Sequence, residues 1–139
     1  MFAKLYLEIT SRCNLACSFC PGTTRTAKFL TVEEFSVLAR RLRPHGQYLY
    51  FHVMGEPLLH PQLSELLQQA GELGFRVILT TNGTLLPKQQ ETLLAAPALH
   101  KVNLSLHAPE RISDLPDQSV LKHISVFSFD PYFSIFDQK

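Results

Sequence analysis

Strand-like and helical stretches alternate along most of this chain, and that rhythm narrows its fold more than any other feature. Ala3–Thr10, Gln47–Met54, Phe75–Thr81 and Lys101–His107 are rich in strand formers, and the first alternates apolar and polar positions. Between them lie three helical stretches. Thr31-Val-Glu-Glu34 is a capping-box start, with Phe35, Leu38, Ala39 and Leu42 at helical spacing until Pro44 and Gly46. Pro61 opens a second, with Leu63, Leu66, Leu67, Ala70 and Leu73 on one face and Gly74 as its stop. Pro87–Ala95, bounded by Pro97, is the third. One unit about every 25 to 30 residues predicts right-handed βαβ crossovers and parallel strands. The expected class is therefore α/β, a partial (β/α) barrel of about four βα units over residues 1–108.

The chemistry is concentrated just after the first strand. Cys13, Cys17 and Cys20 are the only cysteines, spaced C-x3-C-x2-C. Three thiolates can hold three corners of a cubane iron–sulfur cluster and leave one iron without a protein ligand, the open position that marks a catalytic metal site. Two other readings stand beside this one at the level of spacing. A zinc site would need a fourth ligand, and His45, His52 and His60 are available without any spacing that selects one. Three structurally unrelated thiols are the other.

Composition sets bounds. With 139 residues, 45% hydrophobic and 18% charged, the chain is of single-domain size and ordinary globular character. A net charge of +1 provides no basic field for nucleic acid, and Arg40, Arg41 and Arg43 read as a solvated helix face. No apolar run is long enough for a signal peptide or a membrane span, so a cytoplasmic protein is expected. A reducing cytosol keeps clustered cysteines as thiols ready for metal.

Each distinctive motif falls at the C-terminal end of an expected strand: the cysteines after the first, Gly55-Glu56-Pro57 after the second, Thr80-Thr81-Asn82-Gly83 after the third, and Ser105-Leu-His107 on the fourth. Barrel-type α/β folds build active sites at that edge. In this order and at these positions, the four motifs resemble the N-terminal portion of the radical S-adenosylmethionine (radical SAM) domain, over about residues 3–108.

The resemblance implies that Cys13, Cys17 and Cys20 ligate a [4Fe–4S] cluster whose open iron is chelated by S-adenosylmethionine. It implies reductive cleavage to methionine and a 5′-deoxyadenosyl radical that abstracts hydrogen from an unknown substrate, with an external electron donor such as flavodoxin or ferredoxin. It places Phe19 near the adenine, Gly55 and Glu56 at the methionine ammonium, and Ser105 at the cofactor's ribose or carboxylate. Asn82 is a cofactor-binding candidate, although Asn-Gly is so common a turn pair that service to its own turn is the safer reading. The family motif usually begins with two glycines. Here Met54 precedes Gly55 and is expected to be the last strand residue.

His52 and His107 face the same edge but read as core or rim residues. Arg12 and Arg25 flank the cysteine loop and read either as offsets to a negative cluster or as solvated.

The family pattern stops near Ala108. Residues 109–139 form an atypical tail, with Pro109 and Pro116 in its connector and four of the ten phenylalanines in the last 13 residues. The expectation is a fragment or frameshifted product, impaired in this form, with 124–129 as one optional extra strand. A compact natural variant, or a partner subunit or dimer that completes the barrel, are the alternatives. A second function class also follows from the cysteines: a non-catalytic iron–sulfur or zinc-binding interaction module.

Overall fold

The computed structural model describes residues 1–14 and 27–105 and the backbone of 124–127. Five strands form one sheet, β1 (Leu5–Tyr6), β2 (Tyr48–Tyr50), β3 (Arg76–Thr81), β4 (Leu99–Ser105) and β5 (Ile124–Phe127), in sequential order with every pair parallel. Three helices, α1 (Val32–Leu42), α2 (Leu63–Glu72) and α3 (Leu86–Leu94), fill the first three crossovers. Strands added in one direction by right-handed crossovers place their helices on a single face, the arrangement of a barrel wall rather than of a doubly wound sheet.

That face is the core. Leu5, Leu49 and Val77 lie in register across it. They pack with Phe35 and Ala39 of α1, Leu66, Leu67 and Ala70 of α2, and Leu86 and Leu93 of α3. The adjacent row, Tyr6, Tyr50, Ile78 and Lys101, points the other way. Tyr6 and Tyr50 stack there at 4.8 Å.

The sequence expectations for α1 hold closely. Thr31 caps it, its hydroxyl accepting from the Glu34 amide while the Glu34 carboxylate accepts from the Thr31 amide. Pro44 lies in a 3-10 turn, Arg43–His45, directly beyond the helix. α2 starts later than Pro61, because Pro57–Leu59 first makes a 3-10 turn of its own and Gln62 occupies the cap position.

Three strand boundaries differ from expectation. The β1 ladder covers only Leu5–Tyr6 of the expected 3–10, although the Leu7 and Ile9 amides still donate to the Tyr50 and Phe51 carbonyls. At Thr10 the chain turns aside to bridge Phe29. β2 ends at Tyr50, so Met54 is not its last residue but part of the bend that follows. β4 begins at Leu99, two residues early, because a register shift at Val77/Ile78 leaves His100 as an extra residue that breaks the alternation. The segment expected as an optional strand at 124–129 supplies Ile124–Phe127, which pairs with Val102–Ser105 and adds a fifth strand beside β4. Among the described residues no helix is long and apolar enough to cross a membrane.

Candidate functional site

The cysteine loop leaves the sheet between two stems that are zipped together. The Thr10 hydroxyl and the Ser11 amide both donate to the Lys28 carbonyl at 3.0 Å, the Lys28 amide donates to the Ser11 hydroxyl at 2.9 Å, and the Leu30 amide donates to the Ile9 carbonyl at 2.9 Å. The Arg12 guanidinium lies over the Phe29 ring at 5.2 Å. His60 locks the returning stem from beneath. Its Nε2–H donates to the Leu30 carbonyl at 2.7 Å and its Nδ1 accepts from the Gln62 amide at 3.0 Å. Both ring nitrogens are therefore committed, which removes His60 from the set of fourth ligands that a zinc site would need. Cys13 is the first residue past the stem and is exposed. Cys17, Cys20 and Phe19, with Arg25, lie outside the described residues, as does His107.

The second motif is pressed directly onto the outgoing stem. A Cβ on Gly55 would collide with the Thr10 carbonyl oxygen and lie 2.8 Å from that of Arg12, so only glycine permits this approach. The Glu56 amide donates to the Arg12 carbonyl at 2.7 Å. Met54, where the family usually has a first glycine, is held through its main chain, which donates to Glu8 Oε2 at 2.8 Å.

Glu56 turns its carboxylate inward and is 2% exposed. Oε1 accepts from the Thr81 hydroxyl at 2.6 Å and the Leu58 amide at 3.1 Å, and Oε2 accepts from the Asn82 amide at 2.8 Å. Burial pushes its pKa above the ordinary carboxylate value, and these three hydrogen bonds oppose that shift. The second and third motifs are thus joined by one buried carboxylate. Thr81, which the sequence offers only as part of Thr-Asn-Gly, also accepts from the Gly83 amide at 3.1 Å, and Gly83 adopts φ +83° in the turn.

The Asn82 side chain is engaged in its own turn and in the cysteine loop. Its Oδ1 accepts from the Thr84 amide at 3.1 Å, and its Nδ2 donates to Asn14 Oδ1 at 2.7 Å. Ser105 ends β4 at the same sheet edge and is buried. His52 sits beside Tyr6 and Tyr50 on the face away from the helices, with ring centroids 6.0 and 6.2 Å away. Burial holds its pKa below the usual histidine value.

Three of the four sequence motifs are thus bonded to one another at the C-terminal edge of the sheet. The donor chemistry fits a soft, thiolate-ligated metal group: three cysteines share one loop, its stems are fixed, and the Cys13 thiol is presented outward. Glu8, Thr10, Asn14 and Thr84 are the supporting residues that sequence reasoning missed, and His60, which it offered only as a possible zinc ligand, supports the stem instead. Only Thr84 had a local signal, two residues after an asparagine in a turn.

A parallel α/β sheet of sequential units, with Cys13 exposed just past a braced stem at its C-terminal edge, is the arrangement of a partial (β/α) barrel. The chain belongs to the Radical SAM superfamily, whose family model matches residues 7–137. That match runs well past Ala108.

Among its relatives, a GTP 3′,8-cyclase of Chlorobaculum tepidum is 40% identical over 110 residues, covering 76% of this chain and 33% of that protein. The tungsten-containing aldehyde ferredoxin oxidoreductase cofactor-modifying protein of Pyrococcus furiosus is 33% identical over 114 residues, covering 73% of this chain and 30% of the relative. The chain spans about a third of the length of these curated relatives. In fold it is similar to BtrN, solved in complex with AdoMet and 2-DOIA, with a TM-score of 0.76 and 22% identity over 93% of this chain and 57% of that one.

Proposed function

We propose that this chain holds a [4Fe–4S] cluster at Cys13, Cys17 and Cys20, with S-adenosylmethionine bound at the same strand edge, as the radical-generating part of a radical SAM enzyme. The observation that carries the reading is the hydrogen bond from the Glu56 amide to the Arg12 carbonyl, which joins the Gly-Glu-Pro motif to the cysteine loop in a chain of this family. When bound, the pair supplies reductive cleavage of a sulfonium carbon–sulfur bond and a carbon-centred radical able to take a hydrogen atom from substrate.

The chain's own residues bind and orient. Gly55 and Glu56 bring main chain to the loop. The Glu56 carboxylate is buried on three protein donors and so serves the ammonium site through the main chain it fixes, not through its own oxygens. Ser105 offers a polar group at the end of β4, Asn82 just past β3 has one amide hydrogen beyond its bonds to Asn14 and Thr84, and Phe19 offers a ring for adenine. The one electron that cleavage requires comes from an external low-potential donor of the flavodoxin or ferredoxin class.

The test is anaerobic reconstitution with iron and sulfide, reduction in the presence of S-adenosylmethionine, and mass-spectrometric detection of 5′-deoxyadenosine, with Cys17→Ala as control. Cysteine-dependent product is the expected result. Cluster formation with no product in the parent protein overturns the catalytic half of the proposal.

A further inference from the structure

Asn14 follows the first cysteine directly, yet its side chain is bonded to a turn some seventy residues away in sequence. Its Nδ2 donates to Thr84 Oγ1 at 2.8 Å, the Thr84 hydroxyl donates to Asn82 Oδ1 at 2.8 Å, and Asn82 Nδ2 donates back to Asn14 Oδ1 at 2.7 Å. The three side chains form a closed ring in which each donates once and accepts once. Hydrogen bonds running in one sense around a ring polarise one another in the same direction, so each is strengthened by the others. Asn82 itself is fixed from below, its amide donating to the buried Glu56 carboxylate.

An exposed loop asparagine ordinarily exchanges its amide partners with water. Here both amide atoms are taken by protein groups, and the restraint falls on the residue next to a thiolate. The stems hold the base of the cysteine loop and Asn14 adds a third anchor inside the C-x3-C spacing. Glu56 grips the loop through Arg12 on one side of Cys13, and the Asn82–Thr84 turn grips it through Asn14 on the other.

We propose that the Asn14–Thr84–Asn82 ring is a clasp that positions Cys13, making Asn14 and Thr84 positioning residues for the metal group. The positioning role rests on the cluster assignment above. A clasp of this kind restricts the arc over which the Cys13 thiolate can move. Its loss lets a bound cluster shed iron faster without changing the sheet or its core.

The test compares the parent with Asn14→Ala, Thr84→Val and Thr84→Ser, each checked by circular dichroism melting. Amide hydrogen exchange on the metal-free protein reads the ring itself. Loss of one net hydrogen bond corresponds to about tenfold faster exchange at the Thr84 amide in Asn14→Ala and in Thr84→Val, whereas Thr84→Ser retains the hydroxyl and the parent rate. Iron release to a chelator after anaerobic reconstitution reads the positioning, with both disruptive variants faster than parent, Thr84→Ser equal to it, and the melting midpoint lowered by no more than the few degrees that one hydrogen bond carries.

Parent-like exchange in Asn14→Ala overturns the ring. Faster exchange with parent-like iron release leaves a structural turn and overturns the positioning role. A parent protein that takes up no iron overturns the cluster assignment and the positioning role with it, while the exchange data still decide whether the ring exists.

Discussion

Gly55 lies against the main chain of Thr10 so closely that the two segments share the space a side chain would need. The contact is backbone on backbone, and neither partner can rotate away. Gly55→Ala must therefore push the bend after β2 off the cysteine-loop stem, breaking the Glu56–Arg12 hydrogen bond as it goes. A cost of about 2–3 kcal/mol is expected. Thermal unfolding checks it, since a loss of that size lowers the midpoint by roughly 5 °C or more in a chain of this length. A midpoint within a degree of the parent contradicts the packing described.

Glu56 is the acceptor for three donors that have no route to water. Glu56→Ala leaves the Thr81 hydroxyl and the Leu58 and Asn82 amides without it, and a loss of at least ~3 kcal/mol in urea unfolding is expected. Glu56→Gln retains one carbonyl oxygen and should lose less. Because burial raises the native pKa, the folded state holds this proton more tightly than the unfolded chain does. Its contribution to stability accordingly falls as pH rises from the ordinary carboxylate range through the native titration, and Glu56→Gln removes that fall. Equal stability of the parent and the alanine variant contradicts the hub.

His60 gives the opposite pH dependence. Burial holds its pKa below the usual histidine value, while its bond to the Leu30 carbonyl opposes the shift. Protonation at Nδ1 would replace an acceptor by a donor facing the Gln62 amide. The unfolded chain takes up this proton first, so stability is full above the ordinary histidine pKa and is lost as pH falls through it toward the native value. His52 acts in the same direction. Urea midpoints between pH 8 and pH 5 should decline in the parent and decline less in His60→Gln. Parallel curves contradict the stem-locking role.

The elements that were legible in the sequence are those whose signals are local. Thr31 and Glu34 mark the start of α1, Gly74 closes α2, and β3 was read to within a residue because its β-branched run ends in Asn-Gly. Boundaries failed where a distant partner decides them. Thr10 leaves β1 for Phe29, and the bulge at His100 hides the start of β4. In the candidate site, the motifs at the strand ends were legible by type and order, and their mutual bonding was not. Nothing near Asn14 announces Thr84, nothing near Glu8 announces the Met54 amide, and Glu56 does not advertise that its carboxylate points inward. Such links depend on how the strand ends converge, which only the folded chain specifies.

On the proposed reading, the cysteine loop holds a cubane cluster with one iron left open for a ligand. Iron and sulfide analysis of the anaerobically reconstituted protein, joined to electron paramagnetic resonance of the reduced form with and without S-adenosylmethionine, tests it most directly. About four irons and four sulfides per chain are expected, with a reduced-cluster signal whose g-values shift when S-adenosylmethionine is added. Stoichiometric zinc without iron uptake, or a signal that S-adenosylmethionine leaves unchanged, would contradict it.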